Sequence, residues 1–181
     1  MILRFLQGAA SRTRAAYYRL LGVQIEGACW LRAVEIPRHH RAIRLGVGVA
    51  LDHGTVLLVT SESNGPEKIV IGRATYVNRF TIIDASERIE IGERCMIGPF
   101  CYITDHDHQV AYGIDPAAGP LVGAPTRIED RCWLGAHVTI LKGVTVGQGS
   151  VIGAGSVVTK SVPANSVAVG NPARVIKTLS Q

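Results

Sequence analysis

The aliphatic residues of this chain recur at a spacing that neither a helix nor an ordinary strand uses. Ile128, Leu134, Ile140, Val146, Ile152 and Val158 follow one another at intervals of six. Smaller or β-branched residues stand four places after each of them, at Cys132, Val138, Val144, Ser150, Ser156 and Val162. Earlier runs keep the register: Leu45, Leu51 and Leu57, then Ile71, Val77 and Ile83, then Ile91, Ile97 and Ile103. A helix repeats every 3.6 residues and a half-buried strand every two, so a period of six marks a short strand and a turn repeated as a unit. Three such units make one triangular coil, and stacking coils at about 4.8 Å buries the large residue of each unit on the next. The pattern predicts an all-β domain, a parallel β-helix, over residues 22–177. Six consecutive units in one register argue against a sandwich of alternating strands.

Three segments leave the register. Residues 1–21 set Ala15, Ala16, Leu20 and Leu21 among arginines and predict an amphipathic helix flanking the first coil. Residues 61–66 form a turn-rich excursion. The longest interruption, the loop at residues 104–126, is rich in Gly and Pro, and a loop of this length inside a compact domain is usually functional or disordered.

Composition changes the picture in three respects. Hydrophobic residues make up 47% and charged residues 18% of the 181, enough to fill a core and unlike a disordered chain. The net charge of +5 comes from the first 44 residues, where eight arginines face only Glu26 and Glu35, while the rest of the chain has a slight acidic excess. That segment reads either as a face for anionic lipid or as a solvated helix packed on the domain end. No nucleic-acid reader motif accompanies the charge. Neither a membrane-length apolar run nor the uninterrupted apolar core of a secretory signal is visible, so the expected location is cytoplasmic, at the inner face of the membrane if the first segment binds lipid. Finally, Cys95, Cys101 and Cys132 each take the fifth place of a six-residue unit, a packing position, and read as buried thiols.

The loop opens with Asp105-His106-Asp107-His108. Two histidines alternating with two aspartates suit either a metal or a general base working near neutral pH.

Several motifs in order bear on that choice: Tyr76-Val77-Asn78, Ile97-Gly98-Pro99 followed nine residues later by His108, Cys132-Trp133-Leu134-Gly135-Ala136-His137, Ile152 to Lys160, and Val169-Gly170-Asn171-Pro172-Ala173-Arg174. From about Leu45 to Lys177 the chain resembles the hexapeptide-repeat acyltransferases, and within them the sugar O-acetyltransferases of the galactoside, maltose and surface-polysaccharide type. The resemblance implies a left-handed helix, a homotrimer with sites between adjacent prisms, acetyl-CoA as co-substrate without a metal, and a sugar or glycan hydroxyl as acceptor. It implies His108 as general base, with His106 as the alternative, Asn78 holding the acceptor or acetyl group, and the Ala136 backbone N–H as oxyanion donor. For the cofactor it implies Trp133, Gly135, Ala136, Ala154, Thr159, Lys160, Arg174 and Lys177. Asp84 and Asp105 are weaker candidates for acceptor contact. The hydrophobic and basic leader departs from the galactoside type and resembles that of surface-polysaccharide enzymes. Competing readings are a xenobiotic or amino-sugar N-acetyltransferase of the same fold, a carbonic-anhydrase-like zinc protein using His106, His108 and His137, and a noncatalytic binding prism.

Overall fold

The computed structural model describes residues 2–61, 66–110, 112–113, 115, 117 and 119–179, with no side-chain description for residues 2–5. Part of the excursion expected at 61–66 and four positions of the 104–126 loop lie outside the described residues.

The period of six becomes a left-handed parallel β-helix. On the first face the strands Gln24–Ile25, Ile43–Leu45, Ile69–Ile71, Ile89–Ile91, Thr126–Ile128 and Thr145–Val146 stack in parallel. The second face runs from Trp30–Leu31 through Tyr76–Val77, Met96–Ile97 and Trp133–Leu134 to Val151–Ile152. The third carries Val56–Val59, Ile82–Ala85, Tyr102–Thr104, Thr139–Ile140 and Val157–Val158. The usual right-handed crossover preference is overridden. Each repeat is too short to include a covering helix, and its large residue is buried by the coils above and below. The aliphatic residues of the six-residue register, from Leu45 to Val158, are at most 1% exposed.

Corners are tight, and many need a left-handed residue. Ala74, Arg94 and Arg131 take positive φ at one corner, and Phe80, Phe100 and His137 take it at another. At the second of these, Phe80 stacks on Phe100 at 5.2 Å and Phe100 on His137 at 5.0 Å, a ladder of rings running along the prism. The three repeat cysteines are buried, with Sγ of Cys101 donating to the Gly135 carbonyl one coil away. Burial pushes the Cys101 thiol up.

The first segment forms α1 (Ile2–Leu21) and packs against the first coil. Ser11, Ala15 and Tyr18 are buried at helical spacing. Tyr18 Oη donates to the Val34 carbonyl at 2.9 Å, and Ser11 Oγ accepts the Leu31 N–H at 2.8 Å. Arg14 and Arg19 turn inward to the carbonyls of Leu31 and Ile25. Of the two readings of this basic segment, the packed helix therefore describes its inner face. No helix among the described residues is long and apolar enough to cross a membrane. At the other end, Ser166–Gly170 pairs with Ala173–Thr178 in an antiparallel hairpin that closes the prism.

Candidate active site

The expected loop at 104–126 is anchored by a short antiparallel ribbon, His106–His108 against Leu121–Gly123. It leaves the prism where the third face turns back to the first. Side chains alternate along the ribbon, so His106 and His108 share one face and Asp107 takes the other. Asp107 Oδ1 meets Lys142 Nζ at 2.6 Å, and that ammonium also donates to the Val122 carbonyl, which ties the ribbon to the next coil.

The two histidines occupy different environments. The His106 side chain is only 9% exposed, with Nδ1 at 2.9 Å from Asp105 Oδ1 and Nε2 at 4.0 Å from Asp84 Oδ1. Asp105 is fully buried and accepts the N–H groups of Ser86 and Glu87, each at 2.8 Å. The expectation that Asp105 touches an acceptor is thereby corrected: both its oxygens are committed inside the chain, and it fixes the base of the ribbon. Asp84 accepts from the Tyr102 hydroxyl at 3.1 Å through Oδ2, while its Oδ1 is buried without a hydrogen-bond partner among the described residues. Burial, together with the Asp84 carboxylate, pushes the Tyr102 hydroxyl up. His108 is exposed, and its side chain makes no hydrogen bond or ion pair among the described residues. Of the two rings, His108 is the one with nitrogens open to a ligand.

A second part of the site lies on the second face and its corner with the third. A groove of about 220 Å³ is lined by Tyr76, Asn78, Met96, Trp133, Gly135 and Ala136, among others. Asn78 Oδ1 accepts the Arg79 N–H at 2.8 Å, and its amide nitrogen has no acceptor among the described residues. Trp133 stands outward, 54% exposed, above Met96 in the ladder. The Ala136 carbonyl accepts from Gly155, but its N–H has no acceptor among the described residues. Gly135 forms the floor because coils approach closely there: a Cβ would lie 2.6 Å from the Ala154 nitrogen.

Lys160 and Arg174 border a depression of about 320 Å³ at the closing hairpin. Thr159, Ala154 and Lys177 are exposed on the last coils. The structure thus brings Asn78, Trp133, Gly135 and Ala136 together and sets Lys160 beside Arg174. It does not bring the ribbon to the groove, because the whole third face separates them. A four-residue strand such as Ile82–Ala85 at roughly 3.3 Å per residue puts them on the order of 10 Å or more apart. Among the described residues, no three His, Cys, Asp or Glu side chains converge as a metal site, and the His137 ring is stacked on Phe100.

Sequence reading missed Tyr102, Asp52 and Arg79, and quoted Tyr76 only as part of a motif. Their signal is the coil length: Asp84 and Tyr102 are 18 residues apart, so they are neighbours on successive coils.

Residues 125–160 match the family model described as hexapeptide repeat of succinyl-transferase. The Escherichia coli protein WbbJ, named for O-acetyl transfer in lipopolysaccharide biosynthesis, is 35% identical over 140 residues, covering 73% of this chain and 66% of its own. The chain belongs to the hexapeptide-repeat acyltransferases. A Mycobacterium tuberculosis protein named an acetyltransferase is 32% identical over 91% of this chain, which spans only 51% of that relative's length. A galactoside acetyltransferase solved with coenzyme A aligns with a TM-score of 0.60 at 34% identity, covering 70% of this chain and 66% of that one.

Proposed function

We propose that this family member is an acetyl-CoA-dependent O-acetyltransferase acting on a hydroxyl of a sugar or a surface-polysaccharide precursor. The observation that carries the reading is the Ala136 N–H, without an acceptor among the described residues, in a turn at the wall of the groove that Asn78 and Trp133 share. A donor held there in advance stabilises a developing oxyanion without reorganising. The names of the lipopolysaccharide and galactoside relatives support the acceptor class, and the coenzyme A bound to the galactoside enzyme supports the donor.

In this reading His108 takes the proton from the acceptor hydroxyl as its oxygen attacks the thioester carbonyl. Ala136 holds the resulting oxyanion, the C–S bond breaks, and His108 returns the proton to the departing sulfur. The products are an acetyl ester and free CoA thiol. His106, locked by Asp105, positions the ribbon. Trp133, Gly135 and Ala154 line the path of the pantetheine, and Thr159, Lys160, Arg174 and Lys177 meet the phosphates, for which cationic side chains are suited.

Because His108 and the groove sit at opposite edges of one face, a complete site needs the ribbon of one copy against the groove of another. A cyclic homotrimer meets that requirement. Cytoplasmic residence, with the outer face of α1 toward anionic lipid, completes the proposal.

Thiol release from acetyl-CoA, measured against neutral glycosides, nucleotide sugars and lipid-linked oligosaccharides, tests it. Acceptor-dependent release that disappears in His108→Ala is expected. No release with any hydroxyl acceptor, or release only with amines, would overturn the O-acetyl reading.

A further inference from the structure

Between α1 and the first coils lies a cavity of about 290 Å³ whose lining includes Gln7, Arg14, Arg32, His53 and Arg79. Its size falls near the lower end of small-ligand sites, roughly 300 to 1,000 Å³. Three guanidiniums and an imidazole converge there. One carboxylate answers them: Asp52 lies 3.5 Å from Arg32 and 3.7 Å from Arg79. Asp52 is itself pinned by the His53 N–H at 2.7 Å and the Tyr76 hydroxyl at 3.0 Å, so it holds two of the guanidiniums in place. Arg14 spends one nitrogen on the Leu31 carbonyl at 2.7 Å, and the rest of its fork stays available.

The cavity also adjoins the groove described above. Arg79 follows Asn78 in the chain, and Tyr76 lines the groove while its hydroxyl reaches Asp52. A ligand whose hydroxyl lies at Asn78 has room for an anionic substituent toward Arg79, Arg32 and Arg14. Three planar forks present more donors than the two oxygens of one carboxylate accept, whereas a diphosphate offers enough.

We infer that this cavity is a diphosphate subsite, and that the acceptor is a glycosyl diphosphate whose sugar lies at Asn78. The inference rests on the proposed function for the sugar, and on the cavity alone for the anion. A soluble nucleotide sugar and a lipid-linked sugar share this chemistry.

Calorimetric binding of inorganic pyrophosphate to the full chain tests the subsite without acetyl transfer. Because Lys160 and Arg174 could also take pyrophosphate, the titration is repeated in Lys160→Ala/Arg174→Ala. Binding should persist in that variant and weaken at least tenfold in Arg14→Gln/Arg79→Gln, with Arg79→Lys intermediate and thermal midpoints confirming folded protein. Arginine-independent binding, no binding, or binding only to phosphatidylglycerol vesicles would overturn the subsite. In the kinetic arm, the Arg→Gln pair should raise the KM for a glycosyl diphosphate at least tenfold and leave that for acetyl-CoA unchanged. Comparing a nucleotide sugar with a polyprenyl-linked one identifies the source. Arginine-dependent pyrophosphate binding without any acetylation would remove the proposed function and leave the subsite standing. Acetylation without such binding would do the reverse.

Discussion

Nδ1 of His106 lies 2.9 Å from Oδ1 of Asp105, and that carboxylate is fully buried on the N–H groups of Ser86 and Glu87. One side chain therefore joins the ribbon to the preceding coil through three hydrogen bonds. Asp105→Ala would orphan the buried Ser86 N–H and the partly buried Glu87 N–H, and unfolding by urea should show a loss on the order of 3 kcal/mol. An unchanged midpoint would mean that water replaces the carboxylate and that the ribbon is anchored by Lys142 alone.

His108→Ala should lower turnover by about 10² to 10⁴-fold, the range for a lost general base, with little effect on CoA affinity. His106→Ala should lower turnover less and stability more. Single-turnover rates at saturating substrate decide between them; an indispensable His106 beside a dispensable His108 would exchange the two roles.

Lys160→Ala and Arg174→Ala should raise the KM for acetyl-CoA more than they reduce kcat. Contacts to phosphates remote from the thioester are made equally in the ground and transition states. Added salt should mimic the substitutions. A CoA dependence unchanged in the double variant would remove the tail from cofactor binding.

In the proposed trimer, assemblies of His108→Ala chains alone and of Lys160→Ala/Arg174→Ala chains alone should both be weak. Unfolding and reassembling them together would place some intact ribbons against intact tails. Activity should reappear without any wild-type subunit, as a head-to-tail closed ring requires. Verified mixed oligomers no more active than their parents would put the whole site within one chain.

Burial alone would raise the pKa of Asp52, but the His53 N–H, the Tyr76 hydroxyl and the two arginines bring it below the usual carboxylate value of about 3.9. A depressed folded pKa contributes stability above the unfolded value and loses it as pH falls through the folded one. Asp52→Asn should therefore be less stable than wild type at neutral pH, and the two denaturation midpoints should converge below about pH 4. A constant gap down to low pH would assign the loss to packing instead.

The sequence by itself determined the architecture of this protein, because burial of one aliphatic in every six residues is a local pattern that admits few other folds. Ile128 through Val158, and the cysteines at the small position, face inward as their spacing requires. The groove residues were named through the family resemblance, not through the repeat: spacing alone gives Asn78, Gly135 and Ala136 no role, and their shared groove appears only once the coils are stacked. The environments of the two histidines were not legible. They are two residues apart in one motif, and only the distant N–H groups of Ser86 and Glu87, 19 and 18 residues from Asp105, lock one and leave the other free. Nor was the basic cavity legible, since Arg14, Arg32 and Arg79 lie far apart in the chain. They converge because α1 docks on the first coil and successive coils bring positions about 18 to 26 residues apart into contact. Repeat spacing is set by short-range packing of like on like, whereas a site is made by side chains that only the stacked coils and the docked helix bring within reach of one another.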